Sequence, residues 1–326
     1  MLADFFHILL ECGNVHTSMT LILPTTSSAV ANDLRHLLGH AKVQDDVPTL
    51  TAYAVDASIY RMTPKAVVLA EHEADIDAVI RFAVERGIPL TPRAAGTNLT
   101  GSAVGSGIIL DVSKMNRILE LNEEEQWARV QPGIVLAELN KQLGRRNLLF
   151  GPDPSSGDMC KLGGMVANNS SGPHTLIYGS VKDNVQALRV CLPSGAWLAA
   201  APMGLDDPAL AGLLSAHPTL KPILDLVQRQ RALIDSKKPT VSKNSCGYNL
   251  FGLADGLSQG LFDLPKLFVG SEGTLGIVSE ATLRLVPKPQ GTLTALIHFR
   301  RLEEAGEAVP YLLALRPSAL EVMDAN

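Results

Sequence analysis

The run Pro92-Arg93-Ala94-Ala95-Gly96-Thr97-Asn98-Leu99-Thr100-Gly101 puts Gly96 and Gly101 in the Gly-x-x-x-x-Gly spacing of a phosphate-binding loop. A P-loop would continue with Lys and then Ser or Thr, because an ammonium must reach the outer phosphates and a hydroxyl must reach Mg²⁺. Ser102 and Ala103 stand in those places, so the cation is missing. A dinucleotide fingerprint would open a helix, whereas residues 102–107 have no helical apolar period and lead into the strand-like run Ile108-Ile109-Leu110-Asp111-Val112. What remains is a strand, a glycine-rich turn and a strand. Successive backbone N–H groups in such a turn can form a concave nest for an anion, and small side chains let a diphosphate approach. A single turn of this kind is more often an ordinary turn with glycine at left-handed positions.

The turn has company. Residues 151–172 and 270–277 are equally dense in Gly, Ser, Thr and Asn, and each borders a strand-like run. Three such segments suggest an extended cradle for a long ligand that combines a diphosphate, sugars and flat rings. Hydrogen bonds to a charged group are worth roughly 1.5–3 kcal/mol each, so converging amides can hold a diphosphate without a lysine.

Other candidates carry less. His36 and His40 lie at i, i+4 but have no third ligand in sight, which reads as a solvated helix face rather than a metal site. His174 lies inside the second small-residue segment and reads as a hydrogen-bonded loop histidine. Glu123-Glu124-Glu125 reads as a solvated turn. In "KNSCGYNL" (243–250), Lys243, Asn244 and Tyr248 could face a substrate, although Tyr248 fits a packed turn at least as well.

Elements must position these loops. Val67-Val68-Leu69 reads as a strand, and Ile76, Val79, Ile80, Ala83 and Val84 as one face of a helix that Gly87 ends; Ile88-Pro89-Leu90 begins the next strand. Residues 66–92 thus form a β-α-β unit whose exit is the first loop, and strand ends of this kind are favoured ligand positions. Ala128–Gln131 reads as a strand stopped by Pro132-Gly133. Val135, Leu136, Leu139 and Leu143 share a helix face, Val185–Val190 alternates as a half-buried strand, and residues 201–240 look helical. A final strand should bury Val278, Ala281, Leu283 and Leu285 on one face.

A chain of 326 residues, 46% apolar, can bury a large core in about two lobes. A net charge of -5 and 5% aromatic residues exclude the basic, stacking surface that nucleic acid requires. Cys12, Cys160, Cys191 and Cys246 are too widely spaced for a zinc site and read as reduced thiols of a cytoplasmic protein. No metal site is expected. The apolar run from Met1 to Pro24 is interrupted by Asp4 and Glu11 and lacks a basic leader, so neither a signal peptide nor a transmembrane segment is expected.

The motifs "PRAAGTNLTG", "VQPG", "FGPDPSS", "LGGMVANNSSG", "YGSVKDNV", "GYNL" and "GSEGTLGIV", in that order, resemble the FAD-binding domain of the vanillyl-alcohol-oxidase (PCMH-type) flavoproteins. The branch they resemble contains D-lactate dehydrogenase, the glycolate oxidase flavin subunit and D-2-hydroxyglutarate dehydrogenase, including large forms fused to an iron–sulfur region. The resemblance covers about residues 55–326. It implies an α+β fold of two α/β subdomains, with an N-terminal helical extension over 1–54, the FAD-binding domain over 55–290 (subdomains about 55–115 and 116–290), and the beginning of a substrate cap over 291–326.

By resemblance, Arg93, Ala94, Ala95, Gly96, Thr97, Asn98, Leu99 and Gly101 wrap the FAD diphosphate through backbone amides. Pro152, Asp153, Ser155, Ser156, Gly163, Gly164, Asn168, Ser171 and Gly172 continue along diphosphate, ribityl and isoalloxazine. Glu272, Gly273, Gly276 and Ile277 close over the adenosine side and the flavin edge. Members that tether flavin through the first loop have His where Thr97 stands, so non-covalent FAD is expected. The implied reaction is oxidation of a small 2-hydroxy acid, with an iron–sulfur electron acceptor as partner and a location in the cytoplasm or at the inner membrane face. The catalytic base is expected in the cap, outside these 326 residues. The alternative is an FAD-binding electron-transfer fragment, inactive without its cap and iron–sulfur partner.

Overall fold

The computed structural model describes residues 28–324 apart from Ser242 and Cys246. The expectations placed on Met1–Pro24, Cys12 and Cys246 lie outside the described residues. The chain builds two lobes. In the small lobe, α1 (Ala29–Leu38), β1 (Val43–Gln44) and α2 (Val47–Tyr53) precede β2 (Ala66–Leu69), α3 (Glu73–Arg86), β3 (Leu90–Arg93) and β4 (Ile108–Asp111). The sheet is four-stranded, in the order β1-β2-β4-β3. Both β2 and β3 run parallel to β4, so the β-α-β unit expected over 66–92 is split by a strand inserted between its two members. The nearly continuous apolar run of β4, buried throughout, suits that central place.

Helix α3 starts where the Asp75 carboxylate accepts the amides of Glu71 and His72, and it stops at Gly87, whose left-handed backbone returns an N–H to Ala83. Its buried face is Ile76, Val79, Ile80 and Ala83; Val84, expected on that face, is 61% exposed, because the stripe is narrower than the apolar spacing suggests. Residues 28–54, part of the expected helical extension, are built into this lobe: β1 pairs antiparallel with β2, and Ala31 and Leu34 enter the core beside Ile108 and Leu110.

The large lobe begins with β5 (Ile118–Asn122), β6 (Trp127–Val130), α4 (Leu136–Gly144), β7 (Leu148–Leu149) and α5 (Leu162–Ala167). It continues through β8 (Val185–Cys191), β9 (Trp197–Ala200), β10 (Pro202–Gly204), the helices α6 (Pro208–Ala216), α7 (Leu220–Arg229), α8 (Arg231–Lys237) and α9 (Leu250–Ser258), then β11 (Leu261–Asp263), β12 (Ile277–Arg284) and β13 (Val286–Pro287). Its main sheet is five-stranded and antiparallel, in the order β5-β6-β12-β8-β9. The small-residue stretch 151–172 is not all loop, since it holds α5, whose Leu162, Met165 and Val166 pack inward while the glycines between them hide the helical period.

Strand β12 joins the lobes. Its inward face is Ile277, Ser279, Ala281 and Leu283, and Val278, expected inward, lies on the opposite face because strict alternation sets it three residues, an odd number, from Ala281. Ile277 and its β8 partner Cys191 belong to the small-lobe core. Gly276 has to be glycine there, because a Cβ would stand 2.6 Å from Val190 Cγ1 and 2.8 Å from the Cys191 carbonyl. From 289 onward no described residue is buried, those of α10 (Leu302–Ala314) included.

Candidate FAD-binding site

A groove open along its mouth runs between the lobes. Loop one, α5 with the Asn168 that follows it, and the turn before β12 form its walls, so tertiary structure brings together parts of all three small-residue segments. Of the residues singled out from sequence, Arg93, Ala94, Ala95, Gly96, Thr97, Asn98, Gly163, Gly164, Asn168, Glu272, Gly273, Gly276 and Ile277 border it. Leu99 does not and is 78% exposed; Gly101 packs its α-carbon against the Tyr60 ring instead. Pro152, Asp153, Ser155, Ser156, Ser171 and Gly172 do not border the groove either. Gly172 lies directly against Asp153, and Asp153 accepts from the His174 backbone N–H and contacts His174 Nδ1. Lys243 and Asn244 are absent from the lining as well. Tyr248 reaches the third segment through Thr274 Oγ1, 2.9 Å away. Sequence reading missed Val112, Pro132, Val166, Phe268 and Val278, the groove's apolar walls, because nothing distinguishes such residues from core until two lobes meet.

The first loop is shaped by its neighbours. Gly96 adopts φ +69, and a Cβ there would lie 2.7 Å from the Arg93 guanidinium. That guanidinium stacks over Tyr53 and donates to the carbonyls of Val55, Tyr53 and Ala103, so its charge ties down chain rather than facing a ligand. Asn98, buried, accepts from the amides of Thr100 and Ser102 and donates to Asp56. Burial alone would raise the Asp56 carboxyl, but hydrogen bonds from Ser58, Asn98 and Ala103 hold it below the usual carboxylate range. Beneath the loop, burial first and the Asp111 carboxylate second push the Tyr53 hydroxyl far up, which keeps it the donor of a 2.6 Å bond to Asp111.

These ties leave a row of donors. The amides of Ala95, Gly96, Thr97, Asn98 and Leu99 reach no acceptor among the described residues. On the facing wall the Gly164 amide is also without one, and a Cβ at Gly164 would meet only Ala94 Cβ, at 3.8 Å. Unpaired main-chain donors at the edge of an apolar cleft call for an anionic acceptor. No cluster of His, Cys, Asp or Glu fit to hold a metal exists among the described residues. Cys160 and Cys191 are buried free thiols, and burial pushes Cys191 up to about 11, so neither is a ready thiolate.

A two-lobed α/β fold with amides ringing an interlobe groove is that of a nucleotide-cofactor domain, and comparison with known proteins names the cofactor. Residues 64–201 match the family described as FAD binding domain. The chain is 33% identical over 304 residues to D-2-hydroxyglutarate dehydrogenase of Pseudomonas putida, covering 90% of this chain and 30% of that protein. It is 30% identical over 300 residues to glycolate oxidase subunit GlcD of Bacillus subtilis, covering 90% and 53%. Over 274 residues it is 31% identical to D-lactate dehydrogenase of Anaerostipes hadrus, covering 82% and 47%. The chain thus spans between 30% and 53% of the length of these relatives. A solved structure of alkyldihydroxyacetonephosphate synthase (crystal form P212121) superposes with a TM-score of 0.64 at 20% identity, over 94% of this chain and 48% of that one, which shows the shared fold. The groove fits FAD. Its unpaired amides match a diphosphate, and its apolar walls Val112, Pro132, Val166, Phe268 and Val278 match flat rings.

Proposed function

We propose that this chain is the FAD-binding part of a dehydrogenase that oxidises a D-2-hydroxy acid such as D-lactate, glycolate or D-2-hydroxyglutarate. The observation that carries the reading is the convergence of unpaired amides from the first loop and α5 on one interlobe groove. It is supported by the names of the relatives, dehydrogenases and oxidases of such acids. FAD, when bound, supplies at N5 the acceptor for the substrate's α-hydride.

The chain's own residues hold and shield that cofactor. Amides of Ala95 to Asn98 take the diphosphate, Gly163 and Gly164 let the α5 backbone approach it, and Pro132, Val166, Phe268 and Val278 keep water from the flat rings. Thr97 stands where members that tether flavin through this loop have His, so the cofactor is held non-covalently. Among the described residues, the ionisable side chains bordering the groove are Arg93, which is occupied, and Glu272, whose backbone sits in the left-handed region at φ +51.

The second reading is an FAD-binding electron-transfer fragment, inactive without a substrate cap and an iron–sulfur partner. The exposed apolar stretch beyond residue 289, with Leu293 95% and Tyr311 79% exposed, favours it. Purified chain mixed with FAD and desalted should be yellow. Anaerobic bleaching by one of the three hydroxy acids supports the dehydrogenase; a yellow sample that none of them reduces supports the fragment; a sample that leaves the desalting column colourless sinks both.

A further inference from the structure

The first loop lacks the lysine of a P-loop, yet a lysine stands behind it. Lys161, immediately before α5, donates through Nζ to the Ala94 carbonyl at 3.4 Å and to Ser113 Oγ, and Ser113 Oγ donates to the same carbonyl at 3.1 Å. That carbonyl belongs to the peptide whose N–H is the Ala95 amide, the first of the unpaired row. The next peptide but one is held the same way, since the Gly96 carbonyl accepts from Ala57 N at 3.0 Å and its peptide ends in the Thr97 amide. Pinning a carbonyl from behind fixes where the N–H on the other side of that peptide points. A cation on the carbonyl also polarises the peptide, which makes its N–H a stronger donor.

No carboxylate among the described residues lies within ion-pair distance of Lys161, whereas in the small lobe Lys42 has Asp75 and Arg35 has Asp45. Asp111, the closest acid along the chain of contacts, is taken by Tyr53 and by the Ser113 amide. The positive charge of Lys161 is therefore left over beside a nest of donors.

Building on the FAD reading, we infer that Lys161 is a positioning residue for the cofactor diphosphate: through Ser113 and the Ala94 carbonyl it orients and charges the amide nest from outside the groove. It replaces in position, though not in contact, the lysine a P-loop would carry. Its own backbone is anchored independently, by a bridge to Val135 and by the Met165 amide, so the side chain can be changed without releasing α5.

The test is FAD affinity of the full chain, measured by quenching of flavin fluorescence over a series of salt concentrations, with circular dichroism as a control of folding. Lys161→Met should raise the Kd about tenfold and flatten its increase with salt, and Lys161→Arg should restore both. Ser113→Ala, which removes the relay hydroxyl and keeps the charge, should raise the Kd by about threefold and serves if the Met variant does not fold. A Met variant within twofold of the native Kd overturns the inference. So does one that is weaker with an unchanged salt dependence and no recovery in Arg, which is the behaviour of a mere tether. If the native chain itself binds no FAD, the reading of the groove fails first, which separates the two outcomes.

Discussion

Single atoms decide whether the groove can be used. Gly164 is the clearest case, because a side chain there would grow from α5 toward Ala94 across the cleft and meet no core. Gly164→Val should weaken FAD binding by at least about a hundredfold, equivalent to about 3 kcal/mol. The melting temperature should stay within about 3 °C of native, since no buried contact is lost. Isothermal titration beside a thermal melt checks both. Asp56 makes a prediction of the opposite kind. Its carboxyl is held low by the loop it organises, so its contribution to stability is present above the ordinary carboxylate value and lost as the pH falls through the depressed folded one. Asp56→Asn should therefore melt lower than native at neutral pH, and the gap should close in acid. A gap that persists unchanged at pH 3 would contradict that account.

Strand β12 shows what an element adds. Its first residues line the groove, its middle carries the large-lobe sheet, and its fully buried Ser279 donates to Glu73 at the start of α3, which also accepts from Arg189 of β8. One small-lobe carboxylate thus fastens two strands of the other lobe. Arg189 and Glu73 stay 42% and 32% exposed, so solvent screens the ion pair, and the loss on removing Glu73 comes mainly from the orphaned hydroxyl. Glu73→Ala should cost about 1 kcal/mol, or about 2–4 °C in melting temperature. If the lobes were coupled through the apolar pair Ile277 and Cys191 alone, the melt would not move.

Across the whole molecule the apolar surface is distributed unevenly. The two lobes close over their cores, while Leu293, Leu296, Leu302, Tyr311 and Leu315 remain 62–95% exposed on a segment that buries nothing of its own helix. Contiguous exposed apolar surface marks an interaction site. Removing residues 289–326 should leave the melting temperature and FAD affinity unchanged while sharply reducing binding of a hydrophobic dye; a large drop in stability would show that the segment belongs to the folded lobes. FAD itself should stabilise both lobes together, by about 2.7 kcal/mol at a hundredfold excess over its Kd.

Sequence alone determined the turns: glycine and small polar residues at 92–101 and 270–277 dictate them, and the apolar spacing of α3 and α4 dictates which faces are buried, because both are local consequences of residue type. It could not show that β4 slips between β2 and β3, that α5 hides among glycines, or that Val278 turns to the groove while Ser279 turns inward. Those outcomes depend on pairing between distant strands, whose register is set by what the other lobe presents. Nor could it show which segments share one groove, leaving Asp153 and Gly172 packed on each other outside it, or that Lys161 stands behind a loop it never touches in sequence. Proximity across many residues is decided by the packing of two cores, and only the tertiary structure carries that information.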